Sequence, residues 1–222
     1  MAHQIINFTK NNINRVVLSL VLTLSGVCFA ANLKGAKDEK YIKLDFDHSK
    51  GSVEFTAIGK PKAIKIQGKG ESPKGSLYML GGKTKGFIVF NLNTLDTDLE
   101  RRDEHMKKKY LETDKFPLAK LENPEFMLAS NDPVRGLASG EVGKDFTYEK
   151  VPFSGQLTLH GVTRNVMGTA DLKRKGSEMN VAAEFSVKMT DFNIEIPSFA
   201  GITVADHVDL KIESVVPVST KP

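Results

Sequence analysis

The side chains best suited to acid–base or metal chemistry are four histidines beyond residue 40: His48, His105, His160 and His207. They fall one to a segment, without the close ligand spacing that makes a metal site legible in sequence. Asp45, Asp47 and His48 could form an acid–base set. Neighbouring strand residues point to opposite faces, however, so Asp47 and His48 are poorly placed to act on one substrate. A metal-dependent or acid–base hydrolase would have to be assembled by folding, from His105, His160 and an acid such as Asp103. No nucleophile elbow, HExxH pair, phosphate loop or CxxC motif accompanies them. The sequence therefore assigns no catalytic residue and no metal ligand, and the expectation is a protein that is not an enzyme, with that hydrolase as the alternative.

A second feature is a charged pair on an apolar stripe. Residues 97–111 (TDLERRDEHMKKKYL) read as a helix, with Thr97 and Glu100 at the spacing of a capping box and Leu99, Met106 and Tyr110 on one face. Glu104 and Lys108 stand four apart in the favourable order. The helix is expected to end before Phe116-Pro117. Arg102 and Asp103 interrupt the stripe, three and four residues after Leu99. Charges facing a core are costly unless paired. Two readings follow: a clamp bonded to neighbouring strand ends, or, together with His105, a contact for the polar head of a ligand at a cavity mouth.

The elements that would position these groups are strands. Ile42, Leu44 and Phe46 alternate with polar residues, as do Val53, Phe55 and Ala57. The same period runs through Val151, Phe153, Leu157 and Leu159, and through Met179, Val181, Ala183, Phe185, Val187 and Met189; Val208, Leu210 and Ile212 follow near the end. Strict alternation marks strands with one buried face. Short strands between Gly, Pro, Asn and Ser clusters point to an all-β sandwich or up-and-down barrel. Gly155 and Gly161, flanking the strand at 156–160, are read as bends of a closed, curved sheet. Small Ala182 and Ala183 and flexible Met179 and Met189 would leave room inside for a chain-like ligand.

Residues 1–30 have the pattern of an export signal. Lys10 and Arg15 precede an apolar run, VVLSLVLTLSGVCFA, that ends in small residues at Ala30-Ala31. The run is short of the roughly 20 apolar residues a membrane-spanning helix needs. Cleavage there removes the single cysteine, Cys28, leaving a mature chain without thiol or disulfide chemistry. Residues 31–222 then form one domain, expected in the periplasm or secreted. Loss of Lys10 and Arg15 lowers the net charge from +4 to +2, too little to favour nucleic acid.

Five motifs in chain order resemble the YceI-like family. They are Asp45-Phe46-Asp47-His48-Ser49 with Gly51-Ser52-Val53-Glu54-Phe55; Leu95-Asp96-Thr97 with Arg102-Asp103-Glu104-His105-Met106; Lys115-Phe116-Pro117; Gly155-Gln156-Leu157-Thr158-Leu159-His160-Gly161-Val162-Thr163; and Asp206-His207-Val208-Asp209-Leu210-Lys211-Ile212. Two segments depart from the family pattern, the join at 107–115 and the late strand at 188–196, which lacks an arginine. The resemblance implies a single antiparallel, lipocalin-like β-barrel in the periplasm that holds a polyisoprenoid or similar long-chain amphiphile and carries no other cofactor. Phe55, Val89, Leu157, Leu159, Val181, Phe185, Val187 and Leu210 are expected to line its cavity. At up to about 0.3 kcal/mol per heavy atom, a prenyl chain of about forty carbons would reach roughly 12 kcal/mol, a nanomolar affinity. Transient membrane contact is a further expectation, the sequence leaves the oligomeric state open with a dimer among the options, and a filled barrel that binds a protein partner is a further alternative.

Overall fold

A computed structural model describes residues 41–61, 64–80, 83–128, 145–199 and 201–221. The expected export signal lies outside the described residues. The chain forms β1 Tyr41–Asp45, β2 Lys50–Lys60, β3 Ile64–Glu71, β4 Lys74–Leu80, β5 Lys83–Asn91, β6 Leu118–Phe126, β7 Phe146–Leu159, β8 Val162–Lys175, β9 Glu178–Lys188, β10 Ser198–Phe199 and β11 Ile202–Lys221. One helix, α1 Glu100–His105, continues into a wider π turn at Met106–Tyr110.

All pairings are antiparallel, in the order β1-β4-β5-β6-β7-β8-β9-β11, and β1 pairs back onto β11. Eight strands thus close a barrel. The twenty-residue β11 changes partner along its length: Thr203–Val215 faces β2, and Val218–Lys221 faces β1. Between β1 and β2 the chain kinks in a single turn at Phe46–His48, with Phe46 buried and the Asp45 carboxylate accepting the Asp47 N–H. The β2–β3 hairpin extends the wall beyond the ring.

Period-two patterning explains the burial. In β9, Met179, Val181, Phe185 and Val187 are buried while Asn180, Glu184 and Ser186 face water. Each large apolar side chain fully buried contributes about 1.5–3 kcal/mol. Of the two glycines read as bends, Gly155 sits beside an irregularity in the β6–β7 pairing, and a Cβ there would lie 2.9 Å from a Leu121 methyl. Gly161 plays another part. With His160 it forms a two-residue hairpin turn, φ +50° and +74°, of the left-handed kind that matches strand twist.

Candidate functional site

The barrel and the β2–β3 hairpin enclose a cavity of about 610 Å³, within the range of small-molecule sites. Its strand walls are apolar. Val53, Phe55 and Ala57 come from β2, Ile64 and Ile66 from β3, Leu157 and Leu159 from β7, Phe185 and Val187 from β9, and Leu210 and Ile212 from β11. The helical segment covers one side with Met106 and Tyr110, half-buried residues of its apolar face. Polar groups collect here: Thr97, Glu100, Arg101, Arg102 and His105 also border the space. Leu99, Glu100, Arg101 and His105 are exposed, so the cavity meets solvent at this rim.

The helix is held by a local clamp rather than a capping box. Leu99 occupies the cap position and supplies no side-chain bond. Thr97 is buried instead, and its N–H and hydroxyl donate to the Asp103 carboxylate at 3.1 and 2.5 Å. Arg102 completes the clamp, its Nε donating to the Thr97 hydroxyl at 2.8 Å and an Nη to the Thr97 carbonyl. This corrects the helical limits read from sequence: Thr97 precedes the helix by three residues and is gripped by two side chains of its first turns. The two charges on the stripe find their partners within the protein, and the exposed outer groove, not the cavity, is bordered by Asp103. Arg102 serves the clamp and still borders the cavity.

Two further contacts fasten the cover. His160, at the tip of the β7–β8 hairpin, has Nε2 3.0 Å from Glu112 Oε2 and Nδ1 3.2 Å from the Phe192 carbonyl. Its ring meets Phe116 edge-on, with centroids 4.6 Å apart. Lys115 and then His160 hold the Glu112 carboxyl below its ordinary value. At the neighbouring turn Met189–Phe192, the Thr190 N–H and hydroxyl donate to Asp206 at 3.0 and 2.7 Å. The Thr190 N–H, against some desolvation, holds the Asp206 carboxyl below its ordinary value. Asp206 stands where the β11–β2 register shifts, between Val204 and Val208, so it ties that bulge to a turn whose Met189 lines the cavity.

Seven of the eight side chains expected around a cavity border this one: Phe55, Val89, Leu157, Leu159, Phe185, Val187 and Leu210. Val181 does not. It is buried elsewhere in the interior, paired across the sheet with Leu172, and Met179 likewise does not border the cavity, whereas Met189 does. Of the residues expected at a polar head, Arg102 and His105 border the cavity and Asp103 does not. The hydrolase set is not assembled at the cavity, because Asp103 is bonded to Thr97 and His160 to Glu112, and neither borders the space. Among the described residues, no group of three or more His, Cys, Asp or Glu could hold a metal ion. Sequence reasoning missed Arg101, Ile64 and Ile66. The two isoleucines carry a period-two signal too short to stand out, and Arg101 carries none.

A closed eight-stranded antiparallel barrel with an apolar interior cavity and one covering helix is the architecture of the lipocalin-like barrels. The profile of the YceI-like domain matches residues 41–216, and the chain belongs to that family. A UPF0312 protein of Enterobacter sp. (strain 638) is 32% identical over 113 residues, and Protein YceI of Salmonella arizonae 30% identical over 113 residues. Each alignment covers 48% of this chain and 50% of the relative, so the chain spans about half the length of the curated relatives it matches. Among solved structures, a polyisoprenoid binding domain from Saccharophagus degradans, implicated in plant cell wall breakdown, superposes with a TM-score of 0.55 at 16% identity. That match covers 80% of this chain and 98% of the other. BcnA of Burkholderia cenocepacia gives a TM-score of 0.56 at 16% identity, over 78% and 98% of the two chains. At these identities the likeness speaks to the fold.

Proposed function

We propose that this protein is an exported, periplasmic binding protein that holds one polyisoprenoid, or a similarly long apolar amphiphile, inside its barrel, and that it is not an enzyme. One observation carries the reading: the 610 Å³ cavity is walled by aliphatic and aromatic side chains along its strands and bordered by charged groups where its rim meets solvent. A long hydrocarbon chain gains affinity from every methylene it removes from water, whereas a polar substrate would lose its hydrogen bonds there. The head of the ligand then lies at the rim beside Arg101, Arg102 and His105, where it orients the chain and adds little to affinity. The description of the Saccharophagus degradans domain as polyisoprenoid-binding supports the same ligand class, and the basic-apolar-small pattern of residues 1–30 supports export.

The direct test is native mass spectrometry of the mature protein with a long prenyl alcohol. A complex of one alcohol per chain, formed at submicromolar concentration and lost in Leu157→Asp, is the expected result. No complex with any long-chain prenyl or fatty compound would overturn the reading.

A further inference from the structure

The cavity occupies only part of the barrel interior. None of its wall comes from β1, β4 or β8. Elsewhere in the interior Ile42, Leu44, Leu77, Ala170, Leu172 and Met179 are each at most 3% exposed and do not border this cavity.

The division follows one row of paired residues. Phe153 of β7 pairs with Gly168 of β8, Gly168 with Phe185 of β9, Phe185 with Leu210 of β11, and Leu210 with Phe55 of β2. Phe185, Leu210 and Phe55 line the cavity; Phe153, 2% exposed, does not. Its ring packs edge-to-face on Phe185, with centroids 6.0 Å apart and an interplanar angle of 86°. A Cβ on Gly168 would lie 2.2 Å from the Glu184 carbonyl oxygen, 2.7 Å from Cβ of Phe185 and 2.9 Å from Cε1 of Phe153. The absent side chain at 168 leaves room both for the β9 backbone and for the Phe153 ring, which leans on a cavity-lining ring without itself bordering the cavity.

Resting on the ligand class proposed above, we infer that Phe153, backed by Gly168 and set against Phe185, is the floor that limits the length of the apolar chain the cavity accepts. Affinity rises about fourfold for each methylene moved from water into an apolar space. The rise stops when the chain end meets a packed interior, because a close-packed core makes room for another group only at the cost of strain. Shortening Phe153 converts filled volume next to Phe185 into space a longer chain can enter.

The test is competition by a homologous series of straight-chain fatty acids against a bound fluorescent polyene fatty acid. It is run on the wild-type protein, Phe153→Leu and Phe153→Ala, each checked for native circular dichroism. In the wild type, affinity should climb with chain length and then level off. In Phe153→Leu the levelling point should move to longer chains, and further in Phe153→Ala, with a gain of up to about fourfold for each added methylene accommodated. If Phe153→Ala fails to fold, Phe153→Leu decides alone, since it keeps a branched apolar side chain at the site. Met106→Ala, at the cover, should lower affinity for all lengths alike and leave the levelling point in place. A folded Phe153→Leu whose levelling point coincides with that of the wild type would overturn the floor while leaving lipid binding intact. A wild-type protein that binds neither a member of the series nor a long prenyl alcohol would overturn the floor together with the ligand class on which it rests.

Discussion

Nε2 of His160 stands 3.0 Å from a carboxylate oxygen of Glu112, forty-eight residues earlier in the chain, and Nδ1 of the same ring stands 3.2 Å from the Phe192 carbonyl. One side chain thus joins the loop after the helix, the β7–β8 hairpin and the turn beside the rim. Replacing His160 with Ala should cost about 2 kcal/mol, the scale of a hydrogen bond to a charged group, and lower the melting temperature by about 4–8 °C. Hydrogen exchange should quicken in residues 100–116 more than in β8 or β9. Uniform quickening would show that His160 stabilises the barrel and not its cover.

The clamp at Thr97 sets a second expectation. Arg102→Met or Asp103→Asn leaves a buried threonine short of partners, at a cost of about 1–3 kcal/mol. The melting temperature should therefore fall with or without lipid. Affinity of the folded protein should change by less than about tenfold, or about 1.4 kcal/mol, since both charges are engaged by Thr97 within the protein. A large loss of affinity in Arg102→Met at unchanged stability would instead assign that guanidinium to the ligand head.

Acid should weaken the contacts made by Glu112 and Asp206. Glu112 and Asp206 both have carboxyls held below their ordinary values of 4.5 and 3.8, the first chiefly by Lys115 and then His160, the second chiefly by the Thr190 N–H. A carboxyl depressed in the folded state contributes stability above its unfolded value and loses it as pH falls through the folded one. Melting temperature followed downward from pH 6 should begin to drop near pH 4.5. The drop should be shallower in Glu112→Gln and Asp206→Asn, which have already forfeited that contribution. Identical acid profiles in wild type and both variants would exclude these groups as its source.

Export makes a prediction about mass. The protein recovered from the periplasm of its host should begin at Ala31. A mature chain retaining residues 16–30, or carrying lipid on Cys28, would contradict cleavage after Ala30.

Much of the barrel was legible because alternation is a strong signal where inward residues are large, as in β9 with Met179, Val181, Phe185 and Val187. β8 was not, because its inward positions include Gly168 and Ala170, whose small side chains barely register beside outward Lys173 and Lys175. Alternation also says which face is inside without saying which part of the interior is filled, so Val181 was placed at the cavity with Phe185, four residues on. The clamp is local, five and six residues from Thr97, and its need for partners was visible in the charges on the apolar stripe. The His160–Glu112 contact depends on a hairpin reaching a distant loop, and nothing in the spacing announced it.

The most direct measurement is organic extraction and mass spectrometry of protein purified from its own host, wild type beside Leu157→Asp. Wild-type protein should release close to one equivalent of a long-chain prenyl or fatty amphiphile. Leu157→Asp, folded by circular dichroism, should release almost none, since an ionised carboxylate in an apolar wall opposes any hydrocarbon beside it. A wild-type protein that carries no lipid, or a folded Leu157→Asp that carries as much as the wild type, would contradict lipid binding in this cavity.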